Sequence, residues 1–465
     1  IIKYNADGEC QWAKGIGVKY AHTQISDMVI TSDGGIVAIG YFEGTIDLEN
    51  GVSLSSNGSQ DGMIIKYNAD GECEWARNIG ASQNDYISSI IENSNGNYIA
   101  AGYIGNNSRN WSTVYTANIG NGKQIEQGGM ILEYSKTGKL LNVKGKVGAA
   151  YSDINSIREI SEGEYIMTGD FHGNIELKNR DDSISIGNGV VKLKKRELIN
   201  AEILQEESIG GQKNDWIKNI SATADGGYIS VGYFNSKGIT LKNGEILPKN
   251  GSESYSDGLI IKYDRSGNIE WFRTIAGEYN TIINTVTEIS DGGYIVSGSY
   301  DAGYTSKGID LGNGIFLKGY GTMIIKYNNR GECEWAKKFN ASIQSIIKGV
   351  NDEIIICGTF SGTDVNLGDG INITSKGKRD GYFAKCNIFG EVQDVKTIGG
   401  TEDDYIKSIA ENIDGEIVIV GVFDSKSISS ENNIIIENKD AYGFIVKYNA
   451  TGEIEWAKGI GGSSR

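Results

Sequence analysis

Short runs in which apolar positions dominate or alternate with polar ones recur along the whole chain, each pair joined by a turn containing Gly or Asn. Residues 86–104 are representative: YISSIIEN, the turn SNGN, then YIAAGYI. Runs this short, rich in β-branched and aromatic residues, predict strands, and the compact turns between them predict hairpins. A second kind of hairpin follows, as in residues 62–79: GMIIKYN, the turn ADGE, and a strand ending in EWARNI. Apolar positions at helical spacing occur nowhere, so the pattern predicts an all-β protein.

The second hairpin returns with a fixed period. Trp12 and Trp75 stand 63 residues apart, and Trp271 and Trp335 stand 64 apart. The longer intervals from Trp75 to Trp271 and from Trp335 to Trp456 hold further units, with Asn142, Asn200 and Asp394 at the Trp position. Each unit of about 64 residues carries four strand signals, A to D, and repeated units of four antiparallel strands are the signature of a β-propeller. Seven A–B pairs are visible, at 24–42, 86–104, 153–171, 216–234, 282–299, 343–360 and 405–423, against eight C–D pairs.

The expectation is therefore a seven-bladed β-propeller of four-stranded antiparallel blades, forming one domain over 1–465. Its blades lie at approximately 18–80, 81–148, 149–211, 212–277, 278–339, 340–400 and 401–462, with 1–17 as an extra outer hairpin. Pairing of 1–17 with 405–423 would close the ring and protect a strand edge, leaving 443–461 spare. An eight-bladed ring is the alternative. The sequence opens in mid-repeat without Met, so a segment of a longer chain, or a monomer, is expected.

The repeat resembles the bacterial SBBP-type β-propeller repeats. The residues that carry the likeness are 455–462 (EWAKGIGG), 404–409 (DYIKSI), 414–423 (DGEIVIVGVF) and 361–386 (SGTDVNLGDGINITSKGKRDGYFAKC). The resemblance implies a secreted or surface-attached bacterial protein. Residues 449–456 (NATGEIEW) are also similar to the docking motif of PQQ-type propeller blades, in which Gly turns the hairpin and Trp packs between blades. The quinone-binding residues of quinoprotein dehydrogenases have no counterpart, so only packing carries over and no cofactor is expected.

Composition narrows the function classes. With 44 Lys and Arg against 60 Asp and Glu, the net charge of −16 disfavours nucleic-acid backbones and anionic membranes. No apolar run reaches the ~18 residues of a membrane span. Gly is abundant at 65 residues and Pro occurs once, which suits many tight turns. Cys10, Cys73 and Cys333 occupy one repeat position and fall in different units. Cys357 and Cys386 fall on neighbouring strands, where a disulfide is conceivable and free buried thiols are the simpler reading. With only His22 and His172 present, a His-rich metal centre is excluded, and no metal is expected at the acidic turns such as NADG, which offer one Asp each.

Candidate sites follow from where residues obey or leave the repeat. Trp12, Trp75, Trp271, Trp335 and Trp456 recur with the fold unit and read as blade packing, as do Tyr4, Tyr67, Tyr263, Tyr327 and Tyr448. Asp85, Asp215 and Asp404 precede strand A and are followed by Tyr86, Trp216 and Tyr405. These carboxylates either cap backbone N–H groups of their own loops or, with the aromatics, ring a channel mouth able to hold a cation or sugar. Thr23, Ser152, Thr281 and Ala341 break that series. Long B–C connections carry a GxIxLxNG motif, and the longest insertion, 105–127, places Trp111 and Tyr115 outside the repeat register. Loops on a rigid scaffold carry binding, so these aromatics are candidate contacts. The expected function is a non-enzymatic binding or spacer module recognising protein or glycan. The alternative is a carbohydrate-active hydrolase or lyase using paired carboxylates.

Overall fold

A computed structural model describes residues 1–461 except 18–20, 106–115, 120–123, 148–152, 171–173, 176–183, 186–188, 195–201, 209–214, 242–243, 304–307, 431–432 and 438–441. The described residues are all-β, without helices, and form a β-propeller fold of four-stranded antiparallel blades. Each blade has the strand order A-B-C-D, every neighbour antiparallel.

The chain divides into two compact units. The first comprises Ile1–Tyr4, Cys10–Ile217 and Ser236–Leu247. It holds the quartet Thr23–Ile30, Ile36–Phe42, Asp61–Tyr67 and Cys73–Ile79, and the quartet Tyr86–Glu92, Tyr98–Ile104, Gly128–Tyr134 and Leu140–Val147. A third quartet is Asp153–Ser161, Glu164–Asp170, Gly189–Lys194 and Glu202–Ser208. Among the described residues, Ile2–Tyr4 and Cys10–Ala13 pair only with each other. The core lies between successive sheets, where Val37, Ile39 and Ile64 meet Ile87, Ile90 and Ala100. Covered on both faces, strands such as Tyr98–Ile104 are buried throughout, so they read as continuous apolar runs.

The second unit comprises Asn5–Glu9, Lys218–Asn235 and Pro248–Arg465. It contains the quartet Ile282–Glu288, Tyr294–Asp301, Tyr320–Tyr327 and Cys333–Phe339, and the quartet Asp404–Glu411, Ile417–Phe423, Gly443–Tyr448 and Ile454–Ile460. The last three strands of the quartet Asp215–Ala222, Tyr228–Phe234, Asp257–Tyr263 and Ile269–Ile275 also belong here.

The expected blade count is corrected. Among the described residues six four-stranded blades occur, not seven or eight, because the quartet Ser342–Lys348, Ile354–Phe360, Asp380–Cys386 and Val392–Gly399 runs on into a six-stranded sheet. Its outer strand pairs Ile398 with Ser430 and Gly399 with Ser429, adding Ser427–Ser430 and Asn433–Glu437. Elsewhere the GxIxLxNG segments fold as separate two-stranded hairpins such as Thr45–Asp47 with Ser53–Ser55. The last unit lacks that motif, and its longer strand of Ser and Ile takes up the free hydrogen-bonding edge of strand D.

The expected pairing of 1–17 with 405–423 is also not formed. Strands Asp404–Glu411 and Ile417–Phe423 take 443–460 as their outer half, so the final C–D hairpin is not spare. A Cys357–Cys386 bridge is absent, and both thiols are free and buried. Register explains this: Cys386 opposes Ile354, an odd number of positions from Cys357, so the two side chains point to opposite faces.

Repeated locks tie the sheets together, beginning with the Trp residues. Trp12, Trp75, Trp271, Trp335 and Trp456 donate Nε1–H to the carbonyls of Ala69, Lys136, Asn329, Ile388 and Ala6 at 2.9–3.1 Å. Each acceptor lies two residues before a turn Gly with positive φ, namely Gly71, Gly138, Gly331, Gly390 and Gly8. A Cβ on any of these Gly residues would lie 2.5–2.6 Å from the indole, so the ring rests on a bare backbone.

A second lock is ionic. Lys66, Lys262, Lys326 and Lys447 on strand C are buried, and each meets an A–B turn acid and a strand-D Glu. Lys262, for example, lies 2.8 Å from both Asp225 and Glu270. In the Lys66 cluster, the Thr31 hydroxyl above all, helped by Lys66 and the Gly35 N–H, holds the Asp33 carboxyl far below its ordinary 3.8 against the upward push of burial. A carboxyl depressed in the fold stabilises above its unfolded pKa and loses that contribution as pH falls through the folded one. Acid unfolding of Asp33→Asn should therefore show a shallower loss of stability below about pH 4. An acid limb identical to that of the parent chain would refute this role.

Candidate functional site

Asp85, Asp215 and Asp404 open strand A in three sheets, and all three are buried. Asp85 Oδ2 accepts from the Ala81 N–H at 2.7 Å and Oδ1 from the Gly105 N–H at 2.8 Å. Asp404 Oδ2 accepts from the Gly400 N–H and the Ser425 hydroxyl, each at 2.7 Å, while Oδ1 takes the N–H groups of Asp424 and Ser425. The Ser236 N–H and hydroxyl bind Asp215 at 3.0 and 2.6 Å. Asp85 and Asp404 thus latch the crossover from the preceding strand D to the end of their own strand B, and Asp215 bonds to the loop that follows its strand B. Burial pushes the Asp85 carboxyl up to about 7. The sequence signal was available: a Ser stands two residues after the Phe that ends strand B, 21 residues beyond the Asp.

The aromatic partners line the same ends of strands A and B, all half-buried. Tyr86 meets Tyr103 with ring centroids 5.5 Å apart. Two residues after Trp216 in the sequence, Lys218 places its Nζ 5.6 Å from the centre of the Tyr233 ring. Tyr405 is flanked by Arg379 and Lys407, each 5.1 Å from its centroid. Arg379 is itself held by Asp403, through Nε at 2.9 Å and Nη2 at 3.3 Å. Opposite Tyr405 lies Val422, 41% exposed. The result is a half-buried aromatic ring framed by two cations, with Val422 exposed beside it.

Trp111 and Tyr115 lie outside the described residues. The described parts of the B–C connections turn inward: Ile46, Leu48 and Leu54 are buried in the core of their sheet. Leu241, Leu311 and Leu367 are buried likewise. GxIxLxNG therefore extends blades, and its apolar positions are not surface contacts.

Sequence reasoning missed a second buried Asp series at the start of strand C: Asp61, Asp257 and Asp380. It also missed the strand-A acids that receive the preceding turn, as Glu92 does from the Ser32 N–H at 2.6 Å and Glu411 from the Val350 N–H at 2.7 Å. Both series sit at ordinary polar positions of a strand pattern, which gives no sign that the next sheet covers them. Among the described residues, no three or more His, Cys, Asp or Glu side chains gather as a metal centre. No helix of the described residues is long and apolar enough to cross a membrane, which says nothing of a β-barrel.

Comparison with known proteins adds little. No family model matches the chain. It is similar to an uncharacterized WD repeat-containing protein, L264, of Acanthamoeba polyphaga mimivirus, 30% identical over 143 residues. That match covers 28% of this chain, and the chain spans about a tenth (10%) of the relative's length. Among solved structures, a protein of unknown function from Bacteroides caccae is 9% identical with a TM-score of 0.34, covering 71% of this chain and 90% of the other. An α-L-arabinofuranosidase from Fusarium graminearum, in complex with an iminosugar inhibitor, is 9% identical with a TM-score of 0.36, over 72% and 88%. The tail fiber of Staphylococcus aureus phage P68 is 9% identical with a TM-score of 0.23, over 96% and 94%. At TM-scores this low, none of these three likenesses assigns a fold or a function.

Proposed function

We propose that this chain is a non-enzymatic binding or spacer module of a bacterial cell-surface or secreted protein, built from SBBP-type repeats and recognising protein or glycan. The observation that carries the reading is the Tyr405 platform. Its ring is framed by Arg379 and Lys407, with Arg379 fixed in advance by Asp403. A side chain already held in place loses little freedom on binding, which favours recognition. A half-buried ring with flanking cations suits a sugar face bearing acidic groups, so glycan is the favoured ligand, with Trp111 and Tyr115 as further contacts.

The rival hydrolase or lyase needs carboxyls that reach a substrate. Burial raises the Asp85 and Asp380 carboxyls, to about 7 and about 6. Raised carboxyls often mark acid catalysts. Here they are enclosed, however, and Asp85 is taken up on both oxygens by backbone N–H groups.

The test is a glycan and protein array probed with the parent chain and with Tyr405→Ala and Trp111→Ala. Each substitution should weaken any hit roughly tenfold, about 1.4 kcal/mol. Hits that keep full strength in both variants would sink the assignment. Turnover of an arrayed glycan would favour the hydrolase.

A further inference from the structure

The buried Asp at the start of strand C has a neighbour 24 residues on, at the start of the next strand A. Asp61 is so placed with Asp85, Asp257 with Thr281, and Asp380 with Asp404. The chain binds across each junction in the same way: the N–H groups of Asp85, Thr281 and Asp404 donate to the carbonyls of Gln60, Ser256 and Arg379 at 2.8 Å. In every copy one oxygen of the strand-C carboxylate accepts from the loop before it. The N–H groups of Asn57, Asn250 and Lys376 donate to Oδ2 of Asp61, Asp257 and Asp380 at 2.8–2.9 Å.

The other oxygen separates the copies. Asp257 Oδ1 holds the Lys249 ammonium at 2.8 Å, a pair with both side chains buried. That ammonium also binds the carbonyls of Tyr255 and, at 3.4 Å, Phe234. Oδ1 of Asp61 and Oδ1 of Asp380 are buried without a hydrogen-bond partner. Each carboxylate lies directly on a glycine, Gly80 or Gly399, whose missing side chain leaves the room it occupies. Lys376 could have served Asp380, yet its Nζ donates to the carbonyl and hydroxyl of Ser429, at 2.9 and 2.8 Å.

Charge completes the comparison. One carboxylate and one ammonium balance where Thr281 replaces the second Asp. Two carboxylates face the same junction where it does not, and burying them uncompensated is costly. The donors are all hard oxygens, and the register supplies more: Phe42 and Phe360 oppose Asp61 and Asp380 just as Phe234 opposes Asp257.

We propose that the Asp61–Asp85 and Asp380–Asp404 junctions are calcium-binding sites, each holding the cation that Lys249 supplies from within the chain at the third. A divalent ion neutralises the pair, and calcium accepts carboxylate and main-chain oxygens in irregular geometry. The ion is structural, fixing the crossover between adjacent sheets.

The experiment uses the full chain stripped with chelator, equilibrium dialysis against radioactive calcium, and thermal unfolding in calcium, in magnesium and in chelator. About two calcium ions per chain should bind, and melting should rise in calcium more than in magnesium. Asp61→Asn and Asp380→Asn should each remove one ion and part of the melting shift. The double substitution Lys249→Met with Thr281→Asp should add a third ion, a gain that stays readable if either Asn variant does not fold. A single ion lost with only one of the Asn variants would support that junction and overturn the other. Failure to retain calcium, with melting unchanged by it, overturns the proposal, as does full retention in both Asn variants.

Discussion

Gly358→Ala is expected to unfold its sheet, at a cost of about 3 kcal/mol or more, near the upper end of what overpacking usually costs. Gly358 lies on strand B opposite Ile343, where strand A bulges by one residue before Ser345. A Cβ there would lie 1.9 Å from the Ser342 carbonyl oxygen and 2.8 Å from its carbon. Neither atom belongs to a flexible side chain, so the clash is relieved only by parting strands A and B. Gly298 faces the same obstacle, the Ile282 carbonyl at 2.0 Å, and Gly40 meets that of Gln24 at 1.9 Å. Gly15, with nothing within 4 Å of its would-be Cβ, is the control. Urea unfolding of Gly358→Ala and Gly15→Ala should give well-separated midpoints, and equal midpoints would refute the close approach.

Trp271→Ala should cost about 3–5 kcal/mol, the range for a buried large aromatic. The side chain is 9% exposed, its indole N–H binds the Asn329 carbonyl at 2.9 Å, and its ring covers Gly331. Truncation removes the packing, leaves that carbonyl unsatisfied and opens a void beside Tyr294, whose ring centre is 5.8 Å away. Trp271→Phe should fall between, keeping a ring and losing the donor. A measured cost for Trp271→Ala below about 1 kcal/mol would exclude the lock, since truncating a packed core Trp to Ala costs about 3–5 kcal/mol.

How far the sequence could be read depended on the range of the interaction. The A–B and C–D hairpins were legible because their causes are local: β-branched runs, and turn glycines such as Gly71 and Gly331 with φ of +81° and +72°. The 63- and 64-residue spacings from Trp12 to Trp75 and from Trp271 to Trp335 were legible too. What the indole packs on was not, because Gly71 lies 59 positions beyond Trp12 and is explained equally well by its own turn. The candidate carboxylates were found by position, and their bonding could be settled only by the Ser236 and Ser425 hydroxyls across the sheet.

The sequence by itself determined an all-β chain of four-strand units, since alternation, turn chemistry and period act within some tens of residues. Tertiary structure decided which polar groups are buried. Lys66, Asp61 and Asp380 occupy positions that a single strand pattern reads as solvent-facing, and they are enclosed because a neighbouring sheet covers them. It also decided that one quartet grows to six strands, because hydrogen bonding along a free edge depends on what lies beside it.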